Sequence, residues 1–152
     1  MINIRNAQPT DAPLIAEFNA LMAEETEHQK LDRVLLRNGV EGLFAEPSRG
    51  VYYVAEVDGV VAGQLMITYE WSDWRNGTFW WIQSVYVKPG YRTHGVFTAL
   101  YRHIEQLAKS RRDVCGLRLY VEEHNDRAKQ TYAKLGMHAT HYQMYEVDFV
   151  LR

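Results

Sequence analysis

The stretch Ser84-Val85-Tyr86-Val87-Lys88-Pro89-Gly90-Tyr91-Arg92-Thr93-His94-Gly95-Val96-Phe97-Thr98-Ala99-Leu100 decides how this chain folds. An apolar strand ends at Pro89. A short turn carries Arg92 and Gly95, and an amphipathic helix begins at once and runs to about Lys109. On that helix Val96, Ala99, Leu100, Ile104, Leu107 and Ala108 fall on one face. Strand, Gly-containing turn and helix start together make an anion site. The first N–H groups of a helix have no intrahelical partner, and the helix dipole favours negative charge there. The stretch therefore predicts a grip on a phosphate-bearing ligand.

Two familiar phosphate motifs are excluded. A P-loop needs a Lys after its second Gly, and none follows Gly95. The dinucleotide fingerprint Gly-x-Gly-x-x-Gly is absent, and the residues upstream do not open as a βαβ unit. A second pattern lies downstream. Leu117-Arg118-Leu119-Tyr120-Val121 reads as a strand, followed by a helix from Asn125 to Leu135, with Gly136 as its C-cap. Asn125, Ala128 and Tyr132 share one face of that helix.

Arg92-x-x-Gly95-x-Phe97 after a strand and Pro89 resembles the pyrophosphate-binding signature of the GNAT N-acetyltransferases, Gln/Arg-x-x-Gly-x-Gly/Ala. Phe97 stands where Gly or Ala is usual. Asn125, Ala128, Tyr132 and Leu135-Gly136-Met137 match the family's second motif, and the resemblance covers nearly the whole chain. It implies a single domain over residues 2–150 with a mixed α/β fold: a twisted, mostly antiparallel sheet, splayed in the middle and flanked by about four helices. It also implies acetyl-CoA as cosubstrate. Arg92, Thr93, His94, Gly95, Val96, Phe97 and Thr98 would hold the pyrophosphate, mainly by backbone N–H. Val85, Tyr86 and Val87 would offer main chain to the pantetheine arm, with an N–H polarising the thioester carbonyl. Asn125 and Ala128 would lie beside the coenzyme, and Asn125 also suits an N-cap. Tyr132 would return a proton to the leaving thiolate, a phenol near pKa ~10 serving a thiol near ~8.5. The ordinary reading of Tyr132 is a core tyrosine.

The general base stays open. Many relatives carry an acid where Gln83 and Ser84 stand; Glu70, Glu122 and the Glu24-Glu25-Glu27 cluster are alternatives, each otherwise a solvated carboxylate. Tyr69, Trp71, Trp74, Phe79, Trp80 and Trp81 crowd the approach, and alternation puts Phe79, Trp81 and Gln83 on one face. That face suits either an aromatic acceptor pocket for a cationic amine or plain core and dimer surface. Glu24-Glu25-Thr26-Glu27 faintly resembles the polyamine-acetylating branch. The acceptor expected is a primary amine. The competing class is a non-catalytic acyl-CoA-binding sensor or interaction module, and a nucleic-acid binder comes third.

Composition agrees. The 152 residues are 47% hydrophobic and 24% charged, as in an ordinary globular domain. A net charge of −2 gives no ground for nucleic-acid or anionic-membrane binding. The lone Cys115 excludes an internal disulfide and reads as a buried small hydrophobe. With no signal peptide and no long apolar run, a cytoplasmic location is expected. The six His residues show no metal-ligand spacing, so no metal is expected, and a homodimer is left open.

The remaining elements follow from pattern. Ile2–Arg5 alternates as a strand, and Thr10-Asp11-Ala12-Pro13 starts a helix through Leu14, Ile15, Phe18, Leu21 and Met22. A second helix spans Asp32 to Phe44, with Val34, Leu35, Val40 and Leu43 inward. Residues 52–57 and 60–67 form a hairpin about Asp58-Gly59. Ser72 to Gly77 is a loop, Phe79 to Val87 the next strand, and His141 to Val150 alternates as a last strand.

Overall fold

The computed structural model describes residues 1–151. Five strands follow the order of the chain: β1 (Ile2–Asn6), β2 (Val51–Val57), β3 (Val60–Ser72), β4 (Gly77–Val87) and β5 (Val114–Leu119). Every pairing is antiparallel except β4 with β5, which is parallel. The helices are α1 (Ala12–Glu27), α2 (Arg33–Ala45), α3 (Val96–Lys109) and α4 (Asp126–Lys134). Two compact units divide the chain, Met1–Tyr120 and the residues from Val121 onward.

In the first unit, β2 sorts the layers. Tyr52 joins Ala12, Ile15, Ala16, Val40 and Leu43 in a core under α1 and α2, while Tyr53 sets its ring 5.6 Å from His103 of α3. Adjacent strand residues point to opposite faces, so α1 and α2 cover one face of the sheet and α3 the other. Asp58 and Gly59 both have positive φ, which is the hairpin turn that Asp-Gly favours. Asp32 caps α2, accepting from the Val34 and Leu35 N–H groups at 2.8 and 3.4 Å.

Four expectations change. Val34 and Leu35 are 68% and 45% exposed, because the first turn of α2 precedes its contact with the core, which Val40 and Leu43 make. The strand expected at Leu117–Val121 is β5, Val114–Leu119. It starts earlier because the Thr78 N–H reaches the Asp113 carbonyl at 2.8 Å, and it ends where β4 turns away. Cys115 is half-buried. No strand forms from residue 138 to 151 among the described residues, and Tyr142, Met144, Tyr145, Val147 and Phe149 stand exposed. Alternation gives a segment two faces, but a strand also needs a neighbouring edge to pair with.

The second unit is built on α4. Asn125 caps it, its Oδ1 accepting from the Ala128 N–H at 3.1 Å. At the other end Gly136 takes φ 98°, the Gly136 N–H meets the Ala133 carbonyl and the Met137 N–H meets the Tyr132 carbonyl, both at 3.0 Å. This is a Schellman ending, which needs the left-handed glycine. No helix among the described residues is long and apolar enough to cross a membrane.

Gly63 on β3 lets α3 start close to the sheet. A Cβ there would stand 2.9 Å from Val96 Cγ1 and 3.2 Å from the Tyr86 carbonyl. Gly63→Ala is expected to cost about 1–3 kcal/mol by overpacking, read as a lower urea midpoint at unchanged m-value.

Candidate active site

The site begins with a register fault in β4. Met66 of β3 pairs with Gln83, and Gln64 pairs with Tyr86, so two residues of β3 advance against three of β4. The extra residue is a β-bulge at Ser84 and Val85, and Ser84 takes φ 52°. A non-glycine residue in that region carries about 1–3 kcal/mol of strain and persists only where its surroundings fix it. The bulge resets the side chains. Without it Gln83 and Val85 would share a face; with it Gln83 and Tyr86 do, and the Tyr86 ring lies 5.1 Å from Phe18 of α1.

The second break is with β5. The last parallel pair is Ile82 with Leu119, and β4 continues through Gln83 to Val87 without β5 beside it. The Val85–Val87 backbone thus lies on a strand that has lost its neighbour on that side. A strand edge of this kind accepts an extended ligand as a further strand would be accepted.

Beyond Val87 the chain makes a short 3₁₀ turn, Pro89–Tyr91, and reaches α3 through Arg92, Thr93, His94 and Gly95. Thr93 at φ 67° and Gly95 at φ 82° are both left-handed, with His94 between them. Turns of this alternating kind bring successive N–H groups into a concavity that suits an anion. The N-cap of α3 is Gly95, which has no side chain to cap the first N–H groups of the helix. Thr93, His94, Gly95 and Thr98 are exposed and Val96 is buried. The Phe97 ring lies along the helix 6.2 Å from Tyr101, so this bulky residue is accommodated at α3 itself.

Arg92 is fastened from behind. Its Nε donates to the Val87 carbonyl and its Nη2 to Glu25 Oε1, both at 2.7 Å, and the guanidinium sits 5.3 Å from the Tyr86 ring centroid. Tyr86 Oη donates to Glu25 Oε2 at 2.7 Å. Burial works to raise the Glu25 pKa, but the hydrogen bonds from Tyr86 and Arg92 outweigh it and hold the carboxyl below its ordinary value. Burial and the adjacent Glu25 push the Tyr86 phenol up to about 12. Glu25 is therefore a clamp on the turn, engaged through both oxygens.

The aromatic face is occupied too. Trp81 Nε1 donates to Glu70 Oε1 at 2.9 Å and Arg118 Nη1 reaches the same oxygen at 2.8 Å. The Trp81 hydrogen bond leads, with Arg118 adding, in keeping Glu70 below the usual carboxylate range. Arg118 lies 3.6 Å from the Phe79 centroid, and Trp81 stacks on Tyr120 at 4.5 Å. Gln83 Nε2 donates to Thr68 Oγ1 at 2.6 Å. Trp80 points to the α3 side with Tyr69, 6.5 Å away edge-on. Of the two readings of the aromatic face, neither foresaw the ion pair of Glu70 with Arg118 that lies on it.

In the second unit, Asn125 uses its carbonyl oxygen for the cap, which leaves its amide donors for other work. Ala128 and Tyr132 are half-buried, and burial pushes the Tyr132 phenol above its ordinary value. Sequence reasoning missed Gln64 and Asn19. The readable signal was a lone amide in the apolar run Val60 to Ile67.

The Glu25 clamp predicts a pH dependence with a definite sign. A carboxyl held below its unfolded value stabilises the fold above that value, ~4.3 for Glu, and loses this as pH falls through the folded value. The stability difference between wild type and Glu25→Gln should be flat from pH 5 to 8 and shrink below about pH 4, measured by urea unfolding across pH.

The chain has known relatives in structure and family. Residues 12–137 match the model of the acetyltransferase (GNAT) family. A possible acetyltransferase from Clostridium difficile 630 is 45% identical, with 99% of each chain covered and a TM-score of 0.91. A predicted acetyltransferase from Clostridium acetobutylicum, solved with acetyl-CoA, shares the fold at 20% identity, 100% and 99% coverage and TM-score 0.76. So does the ribosomal-protein-alanine N-acetyltransferase of Brucella melitensis biovar Abortus 2308, at 18% identity, 98% and 99% coverage and TM-score 0.78. No curated protein matches the chain. The bulged and splayed β4, the uncapped turn into α3 and the family match lead to one conclusion: the chain belongs to the GNAT acetyltransferase family, an acyltransferase family whose cosubstrate is acetyl-CoA.

Proposed function

We propose that the protein is an N-acetyltransferase that moves the acetyl group of acetyl-CoA to a primary amine by direct attack. One observation carries the reading: β4 leaves β5 after Ile82, bulges at Ser84 and Val85, and runs into a turn whose helix start is uncapped. In this reading the N–H groups from Thr93 to Thr98 hold the pyrophosphate and Arg92 braces the turn. The pantetheine arm lies along Val85, Tyr86 and Val87, and the Val85 N–H faces the thioester oxygen. The amine nitrogen attacks the carbonyl carbon, the C–S bond breaks, and the amine gives up a proton. Motif position assigns Asn125 and Ala128 to the coenzyme and Tyr132 to protonation of sulfur. A raised phenol pKa keeps Tyr132 protonated at neutral pH, as an acid requires. The protein's contribution is orientation and electrostatics, since the thioester is already activated.

A small cationic amine is the acceptor class that Glu24 and Glu27, at the end of α1, favour. The aromatic face adds nothing to that choice, because Arg118 already covers Phe79.

Acetyl-CoA should bind well below the dissociation constants of ATP and NAD, by calorimetry with all three; stabilisation by ATP or NAD alone would sink the cofactor assignment. Gly95→Glu should weaken acetyl-CoA binding at least tenfold, because the left-handed φ strains any side chain and a carboxylate repels the pyrophosphate. An amine panel followed by free thiol tests the reaction itself. With the best amine, Tyr132→Phe should lower kcat by about 10- to 1000-fold with acetyl-CoA affinity little changed. Equal kcat values would remove Tyr132 as the acid, and a wild type inactive on a broad panel would favour an acyl-CoA-binding module.

A further inference from the structure

The bulge in β4 is held by a side chain that the reaction does not itself require. Gln64 is the one fully buried polar residue among the described residues, at 0% exposure. Its Nε2 donates to the Ser84 carbonyl at 3.1 Å and to Asn19 Oδ1 on α1 at 2.9 Å. Asn19 in turn hydrogen-bonds the Tyr52 phenol. Gln64 Oε1 is buried with no hydrogen-bond partner.

The orientation of this amide is forced. A carbonyl oxygen can only accept, so the group that faces Ser84 O must be a donor. Turning the amide over would set oxygen against oxygen, and a glutamate would do the same with a charge added. The buried, unpaired Oε1 is an unfavourable feature in its own right. It is tolerated because the NH2 end bridges two oxygens, the Ser84 carbonyl on β4 and Asn19 Oδ1 on α1. One of those oxygens belongs to Ser84, the residue at φ 52°.

We infer that Gln64 is a positioning residue: through the Ser84 carbonyl it fixes the left-handed bulge and so aims the next backbone N–H, that of Val85. The inference rests on the proposed acetyl transfer, in which that N–H meets the thioester oxygen. Asn19 anchors Gln64 to α1, so the aim of the donor is set by the same helix that carries Glu25. Losing a preorganised donor at a developing oxyanion lowers turnover by about 10²–10³. A donor that is present but loosely aimed should lose about tenfold or more.

The test is Gln64→Met, of similar length and without donors, alone and combined with Ser84→Gly. Gln64→Met should lower kcat about tenfold or more while acetyl-CoA affinity stays within about threefold, since the turn at Gly95 is untouched. The backbone amide resonances of Ser84 and Val85 should shift, and those of Val96 to Thr98 should not. Ser84→Gly should restore most of kcat in the Gln64→Met protein, because glycine adopts the left-handed region without strain. It should not restore the unfolding midpoint, which the Ser84 carbonyl and Asn19 Oδ1, both without their donor, still lower. A core-filling role shares the lower midpoint but predicts unchanged kcat per folded molecule and no rescue by glycine. Unchanged kcat, unmoved Ser84 and Val85 resonances, or failure of the glycine rescue would each overturn the inference. If Gln64→Met does not accumulate as folded protein, Asn19→Ala replaces it, with the same pattern in smaller size expected. A wild type that transfers no acetyl group refutes the proposed function, while the two resonances still judge whether Gln64 holds the bulge.

Discussion

One extra residue in β4 is the constraint on which the site depends. An unbroken antiparallel ladder between β3 and β4 would hold Ser84 and Val85 in strict alternation, one turning its main-chain groups to β3 and the next turning them away. The bulge takes a residue out of register, and the strand twists more strongly at that point. The last pair with β5 is Ile82 with Leu119, just before the bulge, so the two breaks in pairing fall together. The same reset turns Tyr86 toward α1, where its hydroxyl meets Glu25. The opening of the sheet and the bracing of the turn before α3 are consequences of one insertion.

The turn completes what the bulge starts. Its left-handed residues and a glycine N-cap give the start of α3 the form of an anion site. Arg92 would be the obvious phosphate contact from its charge alone. Its side chain instead ties Val87, Tyr86 and Glu25 together. On the proposed reading anion recognition is left to backbone, whose geometry is set by the fold, and the flexible cation serves the scaffold.

Much of this was legible in the residues. The change from strand to helix periodicity about Gly95, the Asp58-Gly59 hairpin and the Asn125 and Gly136 ends of α4 are local signals with local physics, and they appear where the pattern puts them. Long-range geometry was not legible. Nothing in Ser84 marks it for a left-handed bulge, because the feature depends on Gln64, twenty residues away, and on Asn19. The end of β5 depends on where β4 diverges, and the alternation of residues 141–150 cannot say whether an edge is there to receive it. The aromatic residues were legible as a cluster, but not the ion pair of Glu70 with Arg118 that fills their face.

The two carboxylates that flank β4 obey one rule. Glu25 is matched by Arg92 and the Tyr86 hydroxyl, and Glu70 by Arg118 and the Trp81 N–H. Each acid meets one cation and one aromatic donor, and each is held below its ordinary pKa. A negative charge left free beside the bulge would oppose an oxyanion forming there; a neutralised one does not. The amides Gln64 and Gln83 keep the stretch between them uncharged. A carboxylate at Gln83 would be a nearby base, but it would also set a charge against the carbonyl that must become negative. On the proposed reading the chain resolves that conflict toward the oxyanion.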